Sequence, residues 1–176
     1  EYVGPTVSKD LISDGVMAIC FAIMAMLAYI WFRFELPFAI GAIVALLHDI
    51  ILTLGVFSIL GLEFNLSTVA AILLIIGYSM NDTVVVYDRI RENLRKFKKM
   101  ELKELLDKSI NETLSRTINT TITTMLALGA LYLIGGQIIS DFAFAMLWGI
   151  IVGTYSSIFI ASTILMFLNI RRSKES

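Results

Sequence analysis

The residues of this sequence that could do chemistry are ionisable groups inside long apolar stretches. Asp82 interrupts one such stretch, and the neighbours His48 and Asp49 interrupt another. An ionisable side chain in the middle of a membrane span costs roughly 3 kcal/mol unless it is paired or faces water. We therefore expect these residues to be functional, and the chemistry open to them is the binding and release of a proton.

Asp82 belongs to a cluster of polar residues. Asn81 directly precedes it, and Ser79 lies three residues earlier, on the same face if the segment is helical. Counting from Asp88, where the charged residues resume, places Asp82 about 9 Å inside the cytoplasmic boundary. This position favours a carboxyl group that exchanges protons with the cytoplasmic side.

A second polar feature begins at Arg116. Asn119, Thr120 and Thr123 follow at helical spacing and form a stripe that must face other helices or water. The long side chain of Arg116 can reach inward to the depth of Asp82. We expect the two residues to approach each other across a helix interface, and the alternative for Arg116 is an anchor at the membrane surface.

Asp49 lies twelve residues past Pro37, which corresponds to about 18 Å and therefore to the middle of the membrane. Burial at this depth favours the protonated acid, so Asp49 is a second candidate for proton binding. His48 could relay that proton or hydrogen-bond a nearby carbonyl. Adjacent helical positions point about 100° apart, so His48 and Asp49 are not expected to line one path.

The elements that must position these residues are membrane-spanning helices. Hydrophobic residues make up 57% of the 176 positions, charged residues 16%, and the mean hydropathy is +0.82, which excludes an ordinary soluble domain. Long runs without alternating polarity also exclude a β-barrel. The sequence predicts an all-α polytopic bundle with five spans, at Gly15–Phe32, Pro37–Leu62, Leu66–Tyr87, Thr117–Gln137 and Phe142–Ile170.

Small residues repeat at every fourth position of the last predicted span. They are Gly149, Gly153, Ser157 and Ala161. Small side chains on one helical face let two membrane helices approach closely. We interpret this series as a helix-packing surface rather than a ligand site.

The distribution of lysine and arginine predicts the orientation of the chain. Thirteen of the 14 cations fall on one side of the predicted spans, which must be cytoplasmic. The N-terminus is then periplasmic and is expected to continue from a preceding segment, and the C-terminus is cytoplasmic. The predicted organisation is an external lead-in (1–14), spans one to three (15–87), a basic cytoplasmic connection (88–116), spans four and five (117–170) and a cytoplasmic tail (171–176).

The connection 88–116 carries apolar residues near helical spacing, which suggests two amphipathic helices. Its nine cations against six acids fit a solvated loop on the positive side of the membrane, or a surface that docks on anionic lipid or on a cytoplasmic partner. The net charge of −1 for the whole chain argues against nucleic acid as a partner.

Other chemistries have little support in the composition. One histidine and one cysteine are too few for the usual zinc sites, and no glycine-rich phosphate loop occurs. We expect no cofactor, and protons as the coupling ion. Energy for any work must come from an ion gradient or from a partner that hydrolyses nucleotide.

Several runs of residues resemble the SecF family, the membrane subunits that work with SecD beside the bacterial protein-export channel. The most specific is the segment from Gly77 to Asn93, which reads GYSMNDTVVVYDRIREN. Shorter runs are VGP from Val3, ALLHD from Ala45, GLEF from Gly61 and SRTINT from Ser115. The resemblance covers essentially the whole chain.

This resemblance implies a multi-pass protein of the bacterial inner membrane whose fold is one RND-like half. The implied partners are SecD, the SecYEG channel and the preprotein, besides the lipid bilayer. Asp82 and Arg116 match the family residues thought to serve the proton pathway. A family member would begin with a further span and an external domain, which this sequence lacks.

Three other classes of protein remain open at this point. A small-molecule exporter of the RND type would share the helical architecture, and a passive scaffold would have no proton role. An intramembrane aspartyl protease would need Asp49 and Asp82 to share one proton, which their predicted difference in depth of about 9 Å opposes.

Overall fold

The computed structural model describes residues 5–62, 65–168 and 170, and over these ranges the chain is helical with short connections. The predicted tail at 171–176 and the first four residues lie outside this description. The helices are α1 (Pro5–Arg33), α2 (Leu36–Leu60), α3 (Leu66–Lys96), α4 (Leu102–Ile134) and α5 (Gln137–Tyr155); α5 continues through a π-helical turn (Ser156–Ala161) into α6 (Ser162–Phe167).

Five helical segments are long and apolar enough to cross a membrane, and α5, the π-helical turn and α6 together form the fifth, which we call the fifth span. The prediction of an all-α bundle with five spans is therefore confirmed. The helices extend beyond the predicted spans, since α1 already begins at Pro5, within the region expected to be a lead-in.

Local signals in the sequence explain where α2 and α3 begin and end. Pro37 stands in the first turn of α2, where its missing N–H costs no hydrogen bond. Gly61 ends α2 with a φ of 64°, a left-handed conformation that glycine adopts without strain. Asn65 caps α3 by accepting a hydrogen bond from the backbone N–H of Thr68 at 3.1 Å.

The two amphipathic stretches of the predicted cytoplasmic connection are extensions of α3 and α4 rather than separate helices. A short link joins them, and Asn93 on α3 donates hydrogen bonds to Ser109 and Glu112 on α4, each at 2.9 Å. α3 and α4 thus continue as a helical hairpin beyond the apolar spans.

The centre of the bundle is formed by α3 and the fifth span, in each of which about half of the residues of the most apolar stretch are buried within the chain. α1 and α4 lie at the periphery, where a much smaller share of the corresponding residues is buried. The core is aromatic at the end of the bundle where α1 ends and α2 begins, since the rings of Phe34, Phe38 and Tyr87 meet edge-on or tilted with centroids 5.1–5.9 Å apart.

Candidate functional site

Asp49 is a polar residue inside the bundle whose carboxyl group has several hydrogen-bond partners. Its side chain on α2 is buried, and Oδ2 accepts hydrogen bonds from the hydroxyls of Ser79 on α3 at 2.6 Å and Ser156 in the π-helical turn at 2.8 Å. Oδ1 lies 3.1 Å from Nδ1 of His48. A single carboxyl group therefore joins α2, α3 and the fifth span.

Two further hydrogen bonds extend this junction. The hydroxyls of Thr83 and Ser157 lie 2.8 Å apart, and Ser157 also lies 3.1 Å from the carbonyl oxygen of Ser79, to which it donates. Asp49, Ser79, Thr83, Ser156 and Ser157 are all buried, and we call them the polar junction. The sequence predicts Ser157 only as a packing residue and gives no signal for Ser156 or Thr83. Serine and threonine have no distinctive spacing in an apolar helix, so only the tertiary contacts identify these hydroxyls.

The fifth span departs from α-helical geometry at the polar junction. Residues Ser156–Ala161 form a π-helical turn, a feature that often occurs at functional sites. The hydroxyl of Tyr87 donates to the carbonyl oxygen of Ala161 at 3.1 Å. Gly41 of α2 lies against the same tyrosine hydroxyl, where a Cβ atom would overlap it.

The small residues of the fifth span lie at its contact with α3. A Cβ atom on Gly149 would overlap the side chain of Ile75, and one on Gly153 would lie 2.9 Å from Cβ of Ser79. Ala161 is completely buried. The glycines thus let the fifth span approach α3 closely enough for Ser156 and Ser157 to reach the polar junction.

Asp82 lies one turn beyond Ser79 on α3 and differs sharply from Asp49. Its side chain is buried, with 4% of the residue exposed, yet Oδ2 has no hydrogen-bond partner in the part of the chain that the structure describes. A buried carboxyl oxygen without a partner is costly when charged, and less so when the group is protonated. Of the two buried acids, Asp82 is therefore the one whose protonation depends less on hydrogen bonds.

The hydrogen bond between Asp49 and Ser79 relates the two acids along α3. Ser79 precedes Asp82 by three residues, which is about 4.5 Å of helical rise. Asp49 is therefore bonded to the turn of α3 next to Asp82.

The two carboxyl groups do not form a shared pair. Both oxygens of Asp49 contact Ser79, Ser156 or His48, and no hydrogen bond links Asp49 to Asp82 within the described ranges. This arrangement differs from that of an aspartyl protease, in which two carboxyl groups share one proton.

Arg116 lies on an exposed part of α4. Its positive charge acts on the carboxyl group of Asp82, but the two side chains form no ion pair within 4.0 Å among the described residues. The charge of Arg116 therefore influences Asp82 without a direct contact between the two side chains.

Asn119, Thr120 and Thr123 are exposed on α4 beside Arg116, and we call these four residues the α4 polar face. Thr120 and Thr123 each donate to carbonyl oxygens of the preceding turn of α4, at 2.9–3.1 Å, so their hydroxyls are satisfied within the helix. Asn81 on α3 is also exposed. Among the residues that the structure describes, no other helix covers these polar groups.

His48 lies at the edge of the polar junction. Its side chain is 28% exposed, and its ring lies 6.4 Å from the ring of Tyr155. His48 thus contacts Asp49 directly although adjacent helical positions point about 100° apart, and its ring stays partly exposed.

Comparison with known proteins gives a consistent result. The protein translocase subunit SecF of Rhodobacter capsulatus is 52% identical over 99% of this chain, and that of Rickettsia rickettsii is 56% identical over 99%. The chain spans about half the length of these relatives, 53% and 57%.

Solved structures agree with the sequence relatives. A crystal structure of SecDF from Thermus thermophilus, described as a translocon-associated membrane protein, matches 96% of this chain and 24% of its own, with a TM-score of 0.91 and 44% identity. A second SecDF structure, in a super-membrane-facing form, matches 98% of this chain and 23% of its own with a TM-score of 0.85 and 42% identity.

The family model for the C-terminal part of the protein export membrane proteins SecD and SecF matches residues 1–171. With its five spans, its buried acids and its SecF relatives, the chain belongs to the SecD/SecF family of protein export membrane proteins.

Proposed function

We propose that this chain is the membrane part of a SecF-type subunit that uses the proton gradient to assist preprotein export across the bacterial cytoplasmic membrane. The observation that carries the proposal is Asp82, a buried acid with an unpartnered carboxyl oxygen beside the charge of Arg116. No covalent reaction is part of the proposed activity.

Protonation of Asp82 removes its charge and with it the attraction toward Arg116. Deprotonation restores that attraction and draws the two side chains together across the contact between α3 and α4. One proton taken up and released at Asp82 thus alternates the chain between two packing arrangements.

The polar junction offers a route by which this change can reach the fifth span. Ser79 and Thr83 flank Asp82 on α3. Ser79 hydrogen-bonds to both Asp49 and Ser157, and Thr83 hydrogen-bonds to Ser157. A shift of α3 therefore pulls on α2 and on the π-helical turn together. In the intact subunit we propose that this motion moves an external domain that holds the emerging polypeptide, with Asp49 and His48 as further members of the proton path.

SecD is the proposed partner at the α4 polar face. Polar residues on a membrane helix face protein or water rather than lipid because each unpaired polar group is costly in hydrocarbon. The solved relatives named SecDF contain about four times the length of this chain, which supports a second half packed on this surface. We further propose the SecYEG channel as the site at which the complex acts on the preprotein.

The test is Asp82→Asn in the intact protein. Export into membrane vesicles is measured with and without a proton gradient, and we expect the gradient-dependent part to fall to the level without a gradient, because asparagine cannot exchange a proton. Asp88→Asn is the matched control, since Asp88 lies six residues later on the same helix but is exposed and paired with Arg33.

Gradient-dependent export that persists in Asp82→Asn at the wild-type level would overturn the proposal and favour a passive scaffold. Co-purification of the intact protein with SecD separates the proposal from a small-molecule exporter, which has no reason to retain that partner.

A further inference from the structure

The cytoplasmic ends of α1 and α3 border a cleft of about 380 Å³ that the proton path does not use. All of its lining residues are charged: Arg33, Asp88, Arg91, Glu92, Arg95 and Lys96. We propose that this cleft, here called the basic cleft, binds the phosphate of an anionic phospholipid headgroup. The proposal is independent of the proton role of Asp82.

Both acids of the basic cleft are already paired. Arg33 donates to the two carboxyl oxygens of Asp88 at 2.9 and 3.1 Å, and Arg89 forms an ion pair with Glu92 at 2.7 Å. Arg33 and Arg89 therefore neutralise the negative charges at this site. The remaining cations of the cleft give it a positive charge toward the membrane surface.

Three cations of the basic cleft have no acidic partner within the described part of the chain. They are Arg91, Arg95 and Lys96; of these, Lys96 lies over the ring of Phe97 at 5.4 Å. Arg91 and Arg95 are four residues apart, so they project from one face of α3. Two guanidinium groups on one face match the geometry of a phosphate, which accepts paired hydrogen bonds.

Arg91 is the most constrained of these cations. One of its terminal nitrogens donates to the backbone carbonyl oxygen of Arg33 at 3.3 Å, which ties it to the end of α1. Its Nε atom is buried without a hydrogen-bond partner among the described residues. A buried guanidinium donor without an acceptor is unfavourable, so Arg91 gains a hydrogen bond when its side chain turns to present this donor to a phosphate oxygen in the cleft.

The depth of the basic cleft favours a lipid over a soluble anion. Trp31 and Phe32, in the last turn of α1, are 71% and 93% exposed, and exposed aromatic residues beside an arginine are typical of the membrane interface. The cleft therefore lies at the level of the headgroups, where the bilayer itself supplies phosphate at high local concentration. Free phosphate lacks this advantage.

The test is a titration of the intact purified protein in mild detergent with phosphatidylglycerol, and the readout is the dissociation constant. Removal of one cation near an anionic headgroup weakens binding by about fivefold, so Arg91→Gln with Arg95→Gln should weaken it by about thirtyfold. The matched control is Lys98→Gln with Lys99→Gln, the same charge change at exposed positions outside the cleft. We expect the control to remain within about threefold of wild type.

Three results would overturn the proposal: an equal loss in the control pair, equally tight binding of phosphatidylcholine, or displacement of the lipid by inorganic phosphate at comparable concentration. Arg91→Lys provides an independent test that retains the charge and the fold but removes the Nε donor. Weaker phosphatidylglycerol binding in this variant supports the site, and unchanged binding would refute the role of Arg91.

Discussion

At the scale of single residues, the two buried acids of the bundle have opposite surroundings. Asp49 accepts hydrogen bonds from two serine hydroxyls and contacts His48, whereas Oδ2 of Asp82 has no partner among the residues described. Hydrogen bonds from several helices to one carboxyl group hold that group in place. Asp49 is thus suited to join helices, and Asp82 to exchange a proton.

The hydroxyls around Asp49 provide a test of this distinction. We expect Ser79→Ala and Ser156→Ala each to lower the free energy of unfolding by about 0.5–2 kcal/mol, because each removes a buried hydrogen bond to the carboxyl group. The measurement is thermal unfolding of the intact protein in detergent. Ser58→Ala is the control, since Ser58 is exposed on α2, and a control loss equal to that of Ser79→Ala would contradict the role of the junction.

At the scale of elements, the fifth span has to lie very close to α3 for its hydroxyls to reach the polar junction. Gly149 and Gly153 permit this approach because they present no side chain to Ile75 and Ser79. The π-helical turn that follows places Ser156 toward Asp49 and Ala161 toward Tyr87. The packing of two helices therefore determines the geometry of the site.

Substitution of these glycines should separate α3 from the fifth span. Gly149→Ala is expected to cost about 1–3 kcal/mol of stability, because the added methyl group overlaps Ile75 in a packed core. Gly129→Ala on α4 is the control, as open space surrounds this position and alanine favours a helix. If thermal unfolding shows both variants equally stable, the close contact is not required. Adding Ile75→Val to Gly149→Ala should partly restore the lost stability.

At the scale of the whole molecule, the charge distribution and the α4 polar face set the relation of the bundle to its surroundings. The connection between α3 and α4 carries Lys98 and Lys99, whereas the link before α5, at Gly135 and Gly136, is uncharged. The positive-inside rule therefore predicts that the side with Lys98 and Lys99 stays in the cytoplasm during insertion. The outer surface formed by α1 and α4 is available for contact with lipid or with a partner.

This orientation can be checked by labelling single cysteines with a membrane-impermeant maleimide. The native Cys20, exposed on α1, is first replaced by serine. Gly136→Cys should react in intact spheroplasts, and its backbone tolerates a side chain because φ is −65° and the space is open. Lys98→Cys should react only after the membrane is permeabilised. The reverse pattern would show that the predicted topology is wrong.

Much of this protein follows from its amino-acid sequence. Five apolar runs of about 20 residues or more require five helices in a membrane, because only a helix satisfies every backbone group within one segment. The sequence also indicated Asp49 and Asp82, since charge is rare in such runs. These inferences rest on local composition and need no knowledge of how the helices pack.

Only the tertiary structure decided which polar groups meet. Ser156 and Thr83 carry no signal in the sequence, and their hydrogen bonds to Asp49 and Ser157 exist only because α2, α3 and the fifth span pack together. The same holds for Arg116, whose charge influences Asp82 without a direct contact between the two side chains. Apolar length determines that a helix spans the membrane, whereas the contacts between helices determine what each buried acid can do.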